Sequence, residues 1–189
     1  MSNVTKKTDP RVKRTKQMFK DALVSLIREG DKSKITVQSV AERAELNRAT
    51  FYLHYRDLED LTERMMDDIL AELFESIAGA PDITRMPVEL DEPPPQLLSL
   101  LEHLYRNAVL YNVMLENNVV FRKRMHAVFL NIATIRDKYR QAEGLELTVS
   151  MEIVASSLLG VVTWWLQEGL PYSPAYLAKQ MMLMGKTRK

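Results

Sequence analysis

The chain has 189 residues, 46% of them hydrophobic and 27% charged, with no cysteine. That length suits one larger core or two small ones, and the missing cysteine excludes disulfides and thiolate-held metals and fits a reducing compartment. The net charge of +1 hides a division: residues 1–56 carry 13 Lys and Arg against 6 Asp and Glu, net +7, whereas residues 57–189 carry 13 against 19, net −6. A basic half of this kind expects a polyanion, whether nucleic acid, polyphosphate or an anionic membrane.

In chain order, residues 1–10 read as a basic arm, and Met1–Asp9 lacks the apolar core of a secretory signal. From Arg11 to Glu29, Met18, Phe19, Ala22, Leu23, Leu26 and Ile27 repeat at three and four, one face of a helix. Gly30 closes it. Thr36 is an N-cap for a helix to Arg43, Ala44-Glu45-Leu46 is a turn, and Asn47 caps a short segment ending near Tyr55. Asp57 opens a helix of about six turns with Leu58, Leu61, Met65, Ile69, Leu73 and Ile77 on one face. Residues 80–95, with Pro81, Pro87, Pro93, Pro94 and Pro95, read as a loop. Helical patterns resume at Gln96–Val113, Val119–Tyr139 and Val149–Gln167, and Ser173-Pro174 starts a last helix to about Met184. No run approaches the ~20 apolar residues of a membrane helix, because Gly160 and Thr163 interrupt Leu158–Leu166. The expectation is an all-α, soluble, cytoplasmic protein of about nine helices. It divides into the arm (1–10), a basic helical domain (11–56) and a second domain (57–189), the latter led by a linking helix at 57–79.

Thr36–Tyr55 carries the most specific pattern. A helix-turn-helix needs a short helix, a tight turn and a second helix with a polar outer face. Val40, Ala41, Ala44, Leu46 and Phe51 would bury the motif against Met18–Ile27, leaving Gln38, Asn47, Arg48, Thr50, Tyr52 and His54 outside. Arginine can grip guanine O6 and N7, Asn and Gln can pair with adenine, and hydroxyls can bond phosphates. A plain helical corner with solvated polar residues has the same spacing.

Ile35-Thr36-Val37-Gln38-Ser39-Val40-Ala41-Glu42-Arg43-Ala44 and Asn47-Arg48-Ala49-Thr50-Phe51-Tyr52-Leu53-His54-Tyr55 together resemble the DNA-binding domain of the TetR/AcrR family, over roughly residues 11–62. The resemblance implies a homodimer reading double-stranded DNA at a palindromic operator. Arg48, Asn47, Thr50 and Gln38 would then face base edges or nearby phosphates, and Thr36, Tyr52 and His54 would grip the backbone. Two positions depart from the family pattern. Glu45 stands where the turn usually has glycine, implying either a turn without positive φ or strain of ~1 kcal/mol. Leu58 stands where a phosphate-binding lysine usually opens the next helix, and Arg56 is the candidate to replace that contact. On these assignments Arg48→Ala relaxes base preference, while Tyr52→Phe weakens all sequences alike.

Residues 80–189 resemble the short C-terminal domain of the same family more loosely. The resemblance implies dimerisation through the last two helices, with Ser156, Leu159, Gly160, Val162 and Trp165 as interface candidates. It also implies a pocket for a small apolar or amphipathic effector, with Tyr105, Met114, Phe121, Met125, Phe129 and Trp164 as candidate lining. A methionine or aromatic stripe is equally ordinary core. No nucleophile–base pair, phosphate loop or zinc spacing is present, so no enzyme, cofactor or metal is expected. The function expected is a DNA-binding transcriptional regulator, a repressor released by an effector. The alternative is a TetR-fold adaptor or co-activator working through a protein partner.

Overall fold

The computed structural model describes residues 9–31, 34–80, 92–137 and 147–186, without the side chains of 133–137, 147, 185 and 186. The basic arm therefore lies outside it except for Asp9 and Pro10, as does residues 81–91 of the proline-rich segment. The described residues form nine helices and no strand: α1 (Pro10–Arg28), α2 (Val37–Arg43), α3 (Arg48–His54), α4 (Leu58–Ala78), α5 (Pro95–Arg106), α6 (Ala108–Asn117), α7 (Val119–Asp137), α8 (Leu147–Gln167) and α9 (Pro174–Lys186). Two compact units emerge, residues 1–69 and 70–189, so α4 begins in the first and ends in the second.

In the first unit, α2 packs on α1 and α3 on α2. The core is an aromatic triangle: Phe19 and Phe51 meet edge to face at 5.3 Å, and Tyr55 lies 5.5 Å from Phe51 and 6.2 Å from Phe19. Val40, Leu61 and Met65 are buried with it. Short helices cannot stand on propensity alone, and here polar caps hold their ends. Lys20 on α1 also pairs with Asp68 on α4 at 2.6 Å.

In the second unit, α7 lies along α8, α6 touches both, and α5 packs on α9. The expected single helix Gln96–Val113 is two. Asn107 ends α5 with its Nδ2 donating to the His103 carbonyl at 3.0 Å, and its own carbonyl accepts from the Tyr111 amide at 3.1 Å. An asparagine side chain that bonds backbone competes with helix continuation. Trp165 is fully buried, and its indole Nε1 donates to the Tyr172 carbonyl at 3.0 Å, fixing the reversal between α8 and α9. Gly169, at φ 73°, makes that reversal possible.

Helix α8 corrects one expectation from the sequence. Over Thr148–Gln167 it is long and apolar enough to cross a membrane, with mean hydropathy 1.5. Gly160 and Thr163 do not interrupt it, since a single small residue is tolerated inside a helix. It is a bundle helix, with Ala155, Leu158, Val162, Trp165 and Leu166 buried and an outer face that includes Glu152, Ser156 and Ser157.

Candidate nucleic-acid interface

The turn between α2 and α3 is built entirely from local chemistry. Thr36 Oγ1 accepts from the Ser39 amide at 3.1 Å while Ser39 Oγ accepts from the Thr36 amide at 2.9 Å, a reciprocal cap on α2. At the other end the Leu46 amide reaches the Ala41 carbonyl at 2.9 Å and the Glu45 amide reaches Glu42 at 3.0 Å. Those two bonds define a Schellman termination, which needs its pivot residue in the left-handed region. That pivot is Glu45, at φ 55°. Of the two expectations for this position, the strained one is realised. Asn47 Oδ1 then caps α3 by accepting from the Thr50 amide at 2.8 Å.

Caps consume some of the expected reading groups. Asn47 Oδ1 also lies 3.2 Å from Thr50 Oγ1, so only its amide nitrogen remains to donate outward. Thr36 Oγ1 is likewise occupied. Gln38 is exposed and donates to Glu42 Oε1 at 2.5 Å. The burial pattern agrees with the sequence at Val40, Ala41, Ala44 and Phe51, whereas Leu46 is only half-buried.

Arg48 and Tyr52 form one unit on the exposed face of α3. The Arg48 guanidinium donates to the Tyr52 hydroxyl at 3.1 Å and sits 5.5 Å above its ring. A cation held by both a hydrogen bond and an aromatic face loses little freedom on binding an acceptor. The geometry alters the expectation of separate roles: removing the Tyr52 hydroxyl also frees Arg48. His54 is half-buried, and burial, then the nearby Lys16 charge, hold its pKa below the usual value. It therefore offers a neutral N–H donor near pH 7.

Arg56 projects into solvent at the start of α4. Its amide donates to Asp60 Oδ2 at 3.0 Å, and its guanidinium lies 3.6 Å from Asp60 Oδ1. Asp60 also accepts from Arg64 Nε at 2.9 Å. The Arg56 amide first, and the Arg64 guanidinium next, hold the Asp60 carboxyl below its ordinary pKa. Leu58 is half-buried in the same turn. Arg43 grips Glu29 at 2.6 and 3.0 Å and Ser25 at 2.6 Å, tying α2 to α1. Outside the caps and pairs, Arg11, Lys13 and Arg14 stand exposed along α1.

The candidates in the second unit scatter. Met114, Phe121, Met125 and Phe129 are buried together with Tyr111, whose ring is 5.8 Å from Phe121. Tyr105 and Trp164 lie outside this group, both exposed. Of the interface candidates, Ser156 and Gly160 are exposed and Leu159 half-buried. Val162 and Trp165 are both at 0% exposure within the single chain. They correct the expected interface, having no surface left for a partner. Sequence reasoning missed what does face outward: Val149, Ile153 and Val154 on α8, and a stack in which Tyr172 lies 5.0 Å from Tyr176 and 6.3 Å from Trp164. It also missed Ala49 and Leu53, exposed on α3.

Compared with known proteins, a family model described as a transcriptional regulator C-terminal region, of the TetR type, matches residues 91–186. The uncharacterized HTH-type transcriptional regulator YxbF of Bacillus subtilis strain 168 is 25% identical over 190 residues, covering 94% of this chain and 46% of that protein. The chain thus spans about half the length of that curated relative. A TetR transcriptional regulator from Streptococcus agalactiae 2603V has a similar structure, with TM-score 0.64 and 24% identity over 92% of this chain and 94% of that one. NalD, the secondary repressor of the MexAB-OprM multidrug efflux pump in Pseudomonas aeruginosa, gives TM-score 0.62 and 16% identity over 94% and 98%. At these identities the solved structures establish a shared fold.

Proposed function

The chain belongs to the TetR family of transcriptional regulators, and from that premise we propose that it is a homodimeric, cytoplasmic repressor of a palindromic operator, released by a small apolar or amphipathic effector. The observation that carries the DNA-binding part is the outward face of α3, where Arg48 is poised on Tyr52 beside the Asn47 amide. An arginine so placed matches the paired acceptors of guanine in the major groove. Arg56, exposed at the head of α4, takes the phosphate that Leu58 cannot. The cations of α1 and the arm add a contribution that falls with salt.

Dimerisation uses the outward apolar residues of α8 and α9 rather than Val162 and Trp165. Ser156 and Gly160 allow close approach there, while Ile153, Trp164 and Tyr176 supply area. Two copies so joined present two α3 helices, which must match a groove repeat of ~34–36 Å. Helix α4 is the mechanical link, because it is one continuous helix from Leu58 to Ala78. The effector enters among α6, α7 and α8. Met114, Phe121, Met125 and Phe129 already fill that space, so binding requires those helices to part. Their movement, passed along α4, changes the separation of the recognition helices.

The test is selection of binding sites from random DNA by the purified protein across a salt series. A palindromic motif is expected, with the logarithm of the affinity falling linearly in log salt. Recovery of no motif would reject the proposal.

A further inference from the structure

At about 100° of rotation per residue, the side chains of α3 fan out in the order Arg48, Tyr52, Ala49, Leu53, Thr50, His54, with Phe51 on the far side. Phe51 is fully buried, so the direction pointing straight out of the first unit falls between Ala49 and Leu53. Burial agrees with this wheel: 48, 49, 52 and 53 are exposed, whereas Thr50 and His54 are half-buried. Leu53 is 80% exposed, more than any other large hydrophobic side chain among the described residues. The apex of the helix is therefore apolar. The Arg48–Tyr52 pair flanks it on one side, and Thr50 with the neutral His54 flanks it on the other.

We propose that Leu53, with the Ala49 methyl beside it, reads the C5-methyl of a thymine in the major groove, next to the base pair gripped by Arg48. The proposal rests on the DNA-binding reading of α3 and adds to it a base class. The thymine methyl is the one apolar group on the major-groove edges of the four base pairs, and cytosine presents an amino donor on the corresponding edge. At C5 cytosine carries only hydrogen, so the leucine would lose the methyl contact and crowd the adjacent amino donor without offering it an acceptor, at a cost in affinity. The charge around the apex selects this occupant over a hydrophobic protein groove. The strip is only two residues wide, has a guanidinium on its flank, and belongs to a segment of net charge +7. A nucleic acid satisfies both the strip and its surroundings.

The test uses the operator selected by the full-length protein. Each thymine is replaced in turn by deoxyuridine, which removes one methyl and keeps every hydrogen-bonding group and phosphate. Affinities of the wild type and of Leu53→Ala are read by fluorescence anisotropy at fixed salt. One position in each half-site should weaken wild-type binding about three- to five-fold, the worth of roughly one buried methyl. Leu53→Ala should bind the thymine operator more weakly and lose no further affinity with deoxyuridine. Its thermal melting should match the wild type, because Leu53 touches no core. The proposal is overturned if every deoxyuridine operator binds the wild type as tightly as the thymine operator, or if Leu53→Ala shows the same deoxyuridine loss. Failure to select any operator would instead sink the DNA-binding reading, and this proposal with it.

Discussion

The two units place their side chains by different means. In the first, two seven-residue helices are each held by named polar bonds: Thr36 with Ser39, Asn47 with Thr50, and the Leu46 amide with the Ala41 carbonyl. In the second, α7 and α8 are 19 and 21 residues long and meet along apolar faces. Caps fix rotation and register residue by residue, so the exposed face of α3 is dictated by a handful of atoms. Packing along an apolar helix fixes rotation only through the whole core. The first arrangement suits the base reading proposed for α3. The second suits the proposed parting of helices around an effector.

The largest effect that sharpens this contrast is on α8, where adjacent tryptophans have opposite exposure, Trp165 buried and Trp164 outward. Trp165→Ala should destabilise folding by about 3–5 kcal/mol in chemical denaturation, because the residue is fully buried and its indole holds the Tyr172 carbonyl. Trp164→Ala should leave folding of the single chain nearly unchanged and shift sedimentation toward monomer. Equal destabilisation by both would show the two faces of α8 to be misassigned.

Glu45→Gly tests the other unit. A non-glycine residue at φ 55° costs about 1–2 kcal/mol, and glycine returns part of that gain through its freer unfolded chain. A net stabilisation of about 0.5–1 kcal/mol is expected in thermal or urea unfolding. A loss would mean that the Schellman turn does not strain its pivot.

Acid separates the units in a different way. His103 is buried on α5, with Nε2 3.1 Å from the Tyr111 hydroxyl, and burial, then Arg106, lower its pKa below 6.5. The folded chain keeps this imidazole neutral, whereas the unfolded chain takes up a proton near pH 6.5. Stability linked to His103 is thus complete above that pH and is lost progressively as pH falls from there toward the lower folded pKa. Melting curves of His103→Asn and wild type should run parallel above about pH 7 and converge in acid. Parallel curves down to pH 5 would contradict this.

The smallest effect is expected at Tyr55, whose hydroxyl is buried without a hydrogen-bond partner among the described residues and whose pKa is pushed up to about 12, mainly by burial. Tyr55→Phe removes an unmet polar group, so stability should stay level or rise by up to about 1 kcal/mol. A fall of that size would reveal a partner for the hydroxyl.

The same contrast explains what could be read from the sequence. Thr36, Asn47 and Gly30 announce helix ends through short-range chemistry, and α1 to α3 emerged within a residue or two of expectation. The fold class and the exposed positions of Arg48 and Tyr52 were legible for the same reason. The break at Asn107 was not, because an asparagine inside an apolar pattern signals a cap only once its side chain is seen on the His103 carbonyl. Val162 and Trp165 were given to the wrong face since α8 is apolar around much of its circumference, which leaves periodicity no phase to report. Leu53 was passed over because a search for polar readers discards leucine, and only its exposure beside Arg48 singles it out.

The central claim is that α3 reads bases through Arg48 held on Tyr52. Its most direct test is the ratio of operator to random-DNA affinity for the wild type and Arg48→Ala, each measured across a salt series. The account predicts that the substitution removes about 1–3 kcal/mol of that ratio while leaving the salt slope nearly unchanged. An unchanged ratio, with both affinities falling together and the slope reduced, would place Arg48 on the phosphate backbone and contradict it.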